Sequence, residues 1–493
     1  MPETPGLLVI DPRDDVAVAL HGLAAGDPVA PGVVAGTDVP AGHKVALRAI
    51  AAGGEVRKYG WPIGHATADI VAGEHVHSHN LATSLTGHEA YAYAPAAADP
   101  LPHPEASFQG YRRASGRVGT RNEIWILCTV GCVTRTAQRI AAEADRRFKG
   151  RVDGVYALTH PFGCSQLGDD LSATRRMIAA LAAHPNAGGV LVLGLGCESN
   201  QLDALLPLIP DADPARLRAF AAQAFEDELE EGLKAVEALV AVAEQDRRTP
   251  CPLSDLVVGL KCGGSDGFSG LTANPLVGRI ADAVCGAGGS AILTEIPEIF
   301  GAERLLMTRA ADAAVFEAIG QVVNDFKAYF LRHGEPVSEN PSPGNIAGGI
   351  TTLEEKSLGA VQKAGRAPVT EVLRYGERVD RPGVALLEAP GNDAVSSTAL
   401  TAAGATVILF TTGRGTPLGF PAPTLKLATN SGLAQRKPHW IDFDAGRIAA
   451  GQSLDAAADA LLDLVIATAS GQPTRAEQNG EREIALWKRG VTL

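Results

Sequence analysis

The run Ile124–Phe148, IWILCTVGCVTRTAQRIAAEADRRF, reads as a strand from Ile124 to Thr129, a Gly131-Cys132 turn, and a helix from Thr134 to Phe148. The same unit recurs on the C-terminal side. Val155–Thr159 leads through His160-Pro-Phe-Gly163-Cys164 into a helix over Asp169–His184, and Val190–Leu195 leads through Gly196-Cys197 into a short helix. Leu256–Leu260 leads through Cys262-Gly-Gly-Ser-Asp266 into a helix over Asn274–Ala287, and Ala291–Thr294 ends at Glu295. Further along, Val384–Leu387 and Val407–Phe410 read as strands flanking a helix over Asp393–Ala403. Strands alternating with helices argue for α/β units around mainly parallel sheets. Leu217–Arg247, charged and Ala-rich, reads as one long helix or a helical hairpin.

The N-terminal part has a different texture. Val16, Val18 and Leu20 alternate, as do Val45 and Leu47, and turns such as DVPAGHK and AAGGE separate them. That pattern predicts a small all-β domain. The expected division is an all-β domain over residues 1–92, an Ala/Pro-rich linker over 93–107, an α/β domain with Gly-Cys loops over 108–335, and a C-terminal α/β domain over 336–493. The last boundary rests on the Pro/Gly-rich stretch GEPVSENPSPGNIAGG at 334–349.

With 493 residues, 46% of them hydrophobic, and a mean hydropathy of +0.06, the chain can bury a large core. The formal charge is −13 and no Lys/Arg block stands out, which argues against nucleic acid as a partner. No apolar run approaches a membrane span and no signal peptide is visible, so no membrane partner is expected. Seven dispersed cysteines fit a reducing, cytoplasmic setting. A homo-oligomer is expected.

Chemistry concentrates in three places. KYGWPIGHATADIVAGEHVHSHN, Lys58–Asn80, carries His75, His77 and His79 two residues apart. On an extended strand these would share one face, and imidazole binds iron, zinc, copper and nickel. Second, Cys132, Cys164 and Cys197 each follow a strand and precede a helix, with Cys262 nearly so. Ligands of open α/β sheets bind outside the carboxyl ends of the strands, and helix N-termini favour thiolate. The candidate metal ligands are therefore His75, His77, Cys132, Cys164 and Cys197. Either a mononuclear divalent metal, with Fe(II) favoured and Mn(II) second, or an iron–sulfur cluster fits such donors. Cys128, Cys251 and Cys285 read as structural.

Third, loops rich in glycine and in Arg, Lys, Ser or Thr suit a small anionic substrate. Their candidate binding residues are Arg117, Arg121, Asn122, Ser265, Asp266, Thr412 and Arg414. None of these loops matches a nucleotide fingerprint. Removing a proton beside a carboxylate needs a base near neutrality and a stabilised enediolate. His75, His77, Lys58 and His160 are the candidate catalytic groups, with Glu74, Asp266 and Glu295 as further acids.

The His-rich stretch, together with GRVGTRN, HPFGCSQ, GLGCES, LKCGGSDGFSGLTANP, TEIPEIFGAE, PSPGNIAGGITTLEEKSLG and TTGRGTPLGFP, resembles the altronate/galactarate dehydratase family. The resemblance runs over almost the whole chain. Trp61 and Ser78 are mild departures from its motifs. It implies an N-terminal SAF (β-clip) domain joined to a larger α/β body, and dehydration of a sugar acid with iron or manganese as activating metal. The ends of the chain are closer to the altronate branch, which converts D-altronate to 2-dehydro-3-deoxy-D-gluconate and water. Galactarate dehydratases and sulfolactate sulfo-lyases share many of the motifs and remain alternatives, and a non-catalytic sugar-acid binding protein is the non-enzymatic one.

Overall fold

The computed structural model describes residues 6–96 and 99–493. Residues Glu123–Cys128 form a strand buried on both faces. Ile124, Ile126 and Cys128 enter one core, and Trp125 and Leu127 enter another. This explains why the run shows no alternation. Its parallel neighbours are Val155–Leu158 and Ala187–Gly194, and Leu217–Ala221 completes a four-stranded sheet. The expected helix over 217–247 is thus half right. Its first residues, LRAFA, pair along Val190–Gly194, and the helix begins only at Glu228, capped by Asp227. The cap side chain accepts from the N–H groups of Leu229 and Glu230, which fixes the start.

A second parallel sheet of seven strands orders Val369–Leu373, Gly383–Leu387, Ser290–Leu293, Val257–Cys262, Val407–Thr412, Thr424–Ala428 and Phe443–Asp444. Strands from both sides of the 334–349 stretch share this sheet. The division expected at 335/336 therefore falls inside one sheet, and the Pro/Gly-rich stretch is an excursion from it.

The N-terminal domain is all-β. Leu7–Leu8, Val16–Ala19, Lys44–Ala46 and His75–Val76 pair antiparallel, and Glu55–Lys58, Trp61–Ala66 and Leu81–Ala82 form a second sheet. All four residues of Val16–Ala19 are buried. Ala17 and Ala19 fill a small local core, while Val16 joins the core shared with the α/β body. The domain is thus docked on its outer face as well.

Buried charge marks that junction. Glu355 accepts from Lys44 at 2.8 Å and from Lys58 at 2.7 Å, and all three side chains are at most 1% exposed. The Lys44 ammonium also reaches the Gly349 carbonyl at 2.7 Å. Burial alone would raise the Glu355 carboxyl, but the two ammoniums hold it well below the usual range. Gly267 permits the closest backbone approach, since a Cβ there would lie 2.0 Å from the Gly42 carbonyl oxygen. No helix of the described residues is long and apolar enough to cross a membrane.

Candidate active site

One tail residue links the carboxyl edges of the two parallel sheets. The Arg489 N–H donates to Asp170 at 2.8 Å, in the first turn of the helix that follows Cys164. Its guanidinium lies 3.7 Å from Glu388, one residue past the strand Gly383–Leu387.

At the edge of the four-stranded sheet stand Cys132, Cys164 and Cys197, all free and exposed. At the edge of the seven-stranded sheet Cys262 is buried in a closed network of charge. Its thiol lies 3.2 Å from Glu298 and 3.5 Å from Glu295, and it accepts from the Lys363 ammonium at 2.7 Å. Lys356 pairs with Glu298 at 2.8 Å, and Lys261 pairs with Glu295 and, at 2.8 Å, with Asp393. Burial and then Glu295 and Glu298 push the Cys262 thiol up to about 12, so it stays protonated. Burial would raise Glu298, but Lys356 and the other two lysines hold it at about 2.

Among the described residues, Cys262, Glu295 and Glu298 are the group of three whose ligand atoms lie within 4.8 Å of one another, a spacing that suits one metal ion. Each of the three is already matched by a lysine, so a dication would enter only if ammonium groups moved out.

The imidazoles gather beside the same edge. His75 lies in the short strand His75–Val76, but the extended ribbon goes no further, because strand pairing stops at Val76 and the chain folds back through hydrogen bonds from Asn80 and Leu81 to the His77 carbonyl. That turn brings His79 within 5.6 Å of His75, ring to ring. His43, which the sequence reading left in a turn, completes the group: its Nδ1 and the His75 Nε2 are 3.1 Å apart, and it stacks on His77 at 4.9 Å. His77 Nε2 donates to the Ile346 carbonyl at 3.0 Å. Burial and then the neighbouring rings pull His75 down to about 4, and burial also lowers His43 and His77. The rings of His43, His75 and His77 are neutral at physiological pH. Among the described residues no hydrogen bond or ring contact joins them to Cys132, Cys164 or Cys197.

The other expected residues separate by position. Lys58 is sequestered by Glu355; burial alone would lower its ammonium, but Glu355 and Tyr59 hold it up. His160 is buried, with Nε2 bonded to the Cys128 carbonyl and Nδ1 accepting from the Phe162 N–H. Arg117, Arg121 and Asn122 precede the strand that ends at Cys128, which places them at its amino end, opposite the cysteine loop. Arg121 is clamped there by Glu477 at 2.8 and 2.9 Å, Asn122 bonds the Ala243 carbonyl, and Arg117 bonds Asp380. Asp266 is pinned by Ser269, Thr429 and Asn430, and Thr412 accepts from the Gly415 N–H. Ser265 and Asp266 line a small cleft with Lys58, Tyr59 and Lys356. Arg414 is exposed beside the Gly264 turn, with no acidic partner among the described residues.

Sequence reasoning missed His43, Glu298, Lys356, Lys363 and Asp393. Glu298 and Lys356 lie inside TEIPEIFGAE and TTLEEKSLG, where residues carried recognition without an assigned role.

Three family descriptions match this chain. They are the altronate/galactarate dehydratase SAF domain over residues 5–84, the D-galactarate dehydratase/altronate hydrolase second domain over 110–244, and the D-galactarate/altronate dehydratase C-terminal domain over 253–492. The chain belongs to the altronate/galactarate dehydratase family. It is 51% identical over 486 residues to altronate dehydratase of Escherichia coli (strain K12), covering 97% of this chain and 98% of that protein. Identity to altronate dehydratase of Bacillus subtilis (strain 168) is 47% over 492 residues, covering 98% and 99%. Identity to the L-threo-forming galactarate dehydratase of Escherichia coli (strain K12) is 35% over 504 residues, covering 95% and 94%. As a member of this family the chain is a hydro-lyase that dehydrates a sugar acid.

Proposed function

We propose that the substrate is D-altronate and the product 2-dehydro-3-deoxy-D-gluconate, with iron as activating metal. The observation that carries the reading is the identity to two altronate dehydratases over nearly the whole chain, 51% and 47%, against 35% to a galactarate dehydratase. The reaction removes the proton at carbon 2, expels the hydroxyl at carbon 3 as water, and leaves an enol that takes up a solvent proton at carbon 3. Iron would supply Lewis-acid polarisation of the substrate's carboxylate and hydroxyl.

This chain's residues divide the remaining work. Arg414, exposed beside the Gly264 turn, holds the carboxylate, as an exposed guanidinium does for anions. The neutral rings of His75 and His77 accept and return protons, a task that protonated imidazoles could not begin. Lys58, held charged by Glu355, and His160, bonded through both nitrogens to backbone, do not act as the base. Lys261 and Asp393 rim the same edge, and the Asp393 side chain is 31% exposed.

The test is an anaerobic assay of the purified chain against D-altronate, galactarate and 3-sulfolactate, with and without chelator. D-altronate alone should give a 2-keto-3-deoxy acid, and chelator should abolish it. Faster turnover of galactarate, sulfite release from sulfolactate, or full activity in chelator would overturn the assignment.

A further inference from the structure

The buried ion network of the seven-stranded sheet reaches solvent at Asp393. Lys261, whose side chain is 0% exposed, spends its three N–H groups on the Cys262 carbonyl at 2.7 Å, on Glu295, and on Asp393 Oδ1 at 2.8 Å. Glu295 is held behind it at φ 68°, a left-handed setting that costs free energy for a residue with a side chain and persists only in fixed surroundings. Lys356 and Lys363 balance Glu298 and Glu295 deeper in, and none of these four side chains is more than 7% exposed. The Asp393 side chain is 31% exposed. Its Oδ2 accepts no hydrogen bond among the described residues. Ions are costly to desolvate, and apolar residues of similar volume often serve stability as well, so stability alone is a weak reason for such a network.

Asp393 is not needed as a helix cap either. The helix Asp393–Ala402 is capped by Asn392, whose side chain accepts from the Val395 N–H at 3.1 Å. Gly263 makes room for the acid, since a Cβ there would lie 2.6 Å from Asp393 Oδ2. The next residue faces the exposed arginine: a Cβ on Gly264 would lie 3.4 Å from Arg414 Cβ. Consecutive Cα atoms are about 3.8 Å apart, so the open carboxylate oxygen and the guanidinium stem flank one turn. A Cβ on Gly344 would lie 3.5 Å from Arg414 Nε, and Gly344 belongs to the short helix Pro343–Ala347, whose Ile346 carbonyl accepts from His77. A cation, a carboxylate oxygen open to solvent and the neutral imidazoles therefore border the same edge.

We propose that Asp393 is the specificity-determining contact for the hydroxyl-bearing tail of the substrate, with Arg414 at the carboxylate end. A carboxylate is acceptor-only, and hydroxyl groups are the donors that an aldonic acid carries on every carbon beyond the first. Lys261 fixes Oδ1 and leaves Oδ2 to accept from that tail. The same fixed anion repels a second carboxylate. It therefore admits an aldonic acid, charged at one end, and disfavours an aldaric acid, charged at both. This role rests on the sugar-acid reading above and on Arg414 as the carboxylate anchor, and it adds what reads the other end of the molecule.

The test compares the iron-loaded full chain with its Asp393→Asn variant on D-altronate and on galactarate. The variant should lose about tenfold to a hundredfold in kcat/KM for D-altronate, as loss of one charge-assisted hydrogen bond predicts. Its galactarate-to-altronate ratio of kcat/KM should rise about tenfold or more, because the repulsion is gone. A merely structural role would lower both substrates together and leave the ratio unchanged. Glycolate, which has the carboxylate and one hydroxyl but no tail, should inhibit variant and wild type alike. A second measurement needs no variant to fold: on wild type, 2-hydroxyhexanoate, which has the tail without its hydroxyls, should inhibit no better than glycolate. An unchanged ratio in the variant, or 2-hydroxyhexanoate binding as tightly as D-altronate, overturns the role of Asp393. Wild type that prefers galactarate removes the substrate assignment above, while the change of ratio in the variant still judges Asp393. Wild type that prefers D-altronate, with the same ratio in the variant, keeps the assignment and removes Asp393.

Discussion

The two parallel sheets place cysteine at the same topological position and give it opposite surroundings. At the four-stranded sheet the thiols are exposed and the loops are held by backbone hydrogen bonds, so the sulfurs are free to take a ligand. At the seven-stranded sheet Cys262 is enclosed by three lysines and two glutamates, and its thiol is spent inside the protein. Position at a strand's carboxyl end therefore selects where chemistry can occur, while burial and charge decide whether the residue is a ligand or part of the scaffold.

The comparison breaks first if buried charge proves dispensable. Glu355→Ala would strand the Lys44 and Lys58 ammoniums in the junction between the β domain and the body. A loss of about 3–5 kcal/mol in denaturant unfolding is expected; a loss under 1 kcal/mol would mean that the junction is wet.

A second test uses the buried ring of the exposed-thiol edge. Burial pulls His160 down to about 4 from its ordinary 6.5. A depressed folded-state value means that the unfolded chain binds the proton first as pH falls. The neutral ring's contribution is thus complete above pH 6.5 and is lost between about 6.5 and 4. It amounts to about 3 kcal/mol for His160 at full effect. Unfolding curves across that range should be flatter for His160→Gln than for wild type; equal slopes would assign the pH dependence elsewhere.

Arg414→Ala should raise KM for the sugar acid about tenfold or more, as loss of one charge-assisted hydrogen bond predicts, with stability unchanged. An unaltered KM would move the carboxylate site off the seven-stranded edge. The smallest effect sharpens the contrast between the thiols. Cys164→Ser, at an exposed position, should change the stability of the apo chain by less than about 0.5 kcal/mol, while Cys262→Ser, inside the ion network, should cost more.

Much of the architecture was legible because parallel strands leave a simple trace. Apolar runs such as IWILC, followed by Gly-Cys and a helix, gave the units and their edges. What was not legible depended on partners distant in sequence. The first strand of Leu217–Arg247 was hidden among helix-forming residues, and only its pairing with Ala187–Gly194 makes LRAFA extended. The Pro/Gly-rich stretch at 334–349 has the composition of a linker, yet it packs against the β domain through Ile346 and Gly349. The cysteine loops were visible because the Gly-Cys pair repeats. The lysine network was not, because Lys261, Lys356 and Lys363 come from three elements and look like surface charge until burial is known. Arg117 and Arg121 had the right chemistry in the wrong place: they stand before a strand, not after it.

The most direct measurement is proton NMR of D-altronate incubated with the iron-loaded chain in D2O. The account predicts 2-dehydro-3-deoxy-D-gluconate carrying one solvent deuteron at carbon 3. Unchanged D-altronate beside rapid turnover of another sugar acid, or a product with no deuterium at carbon 3, would contradict it.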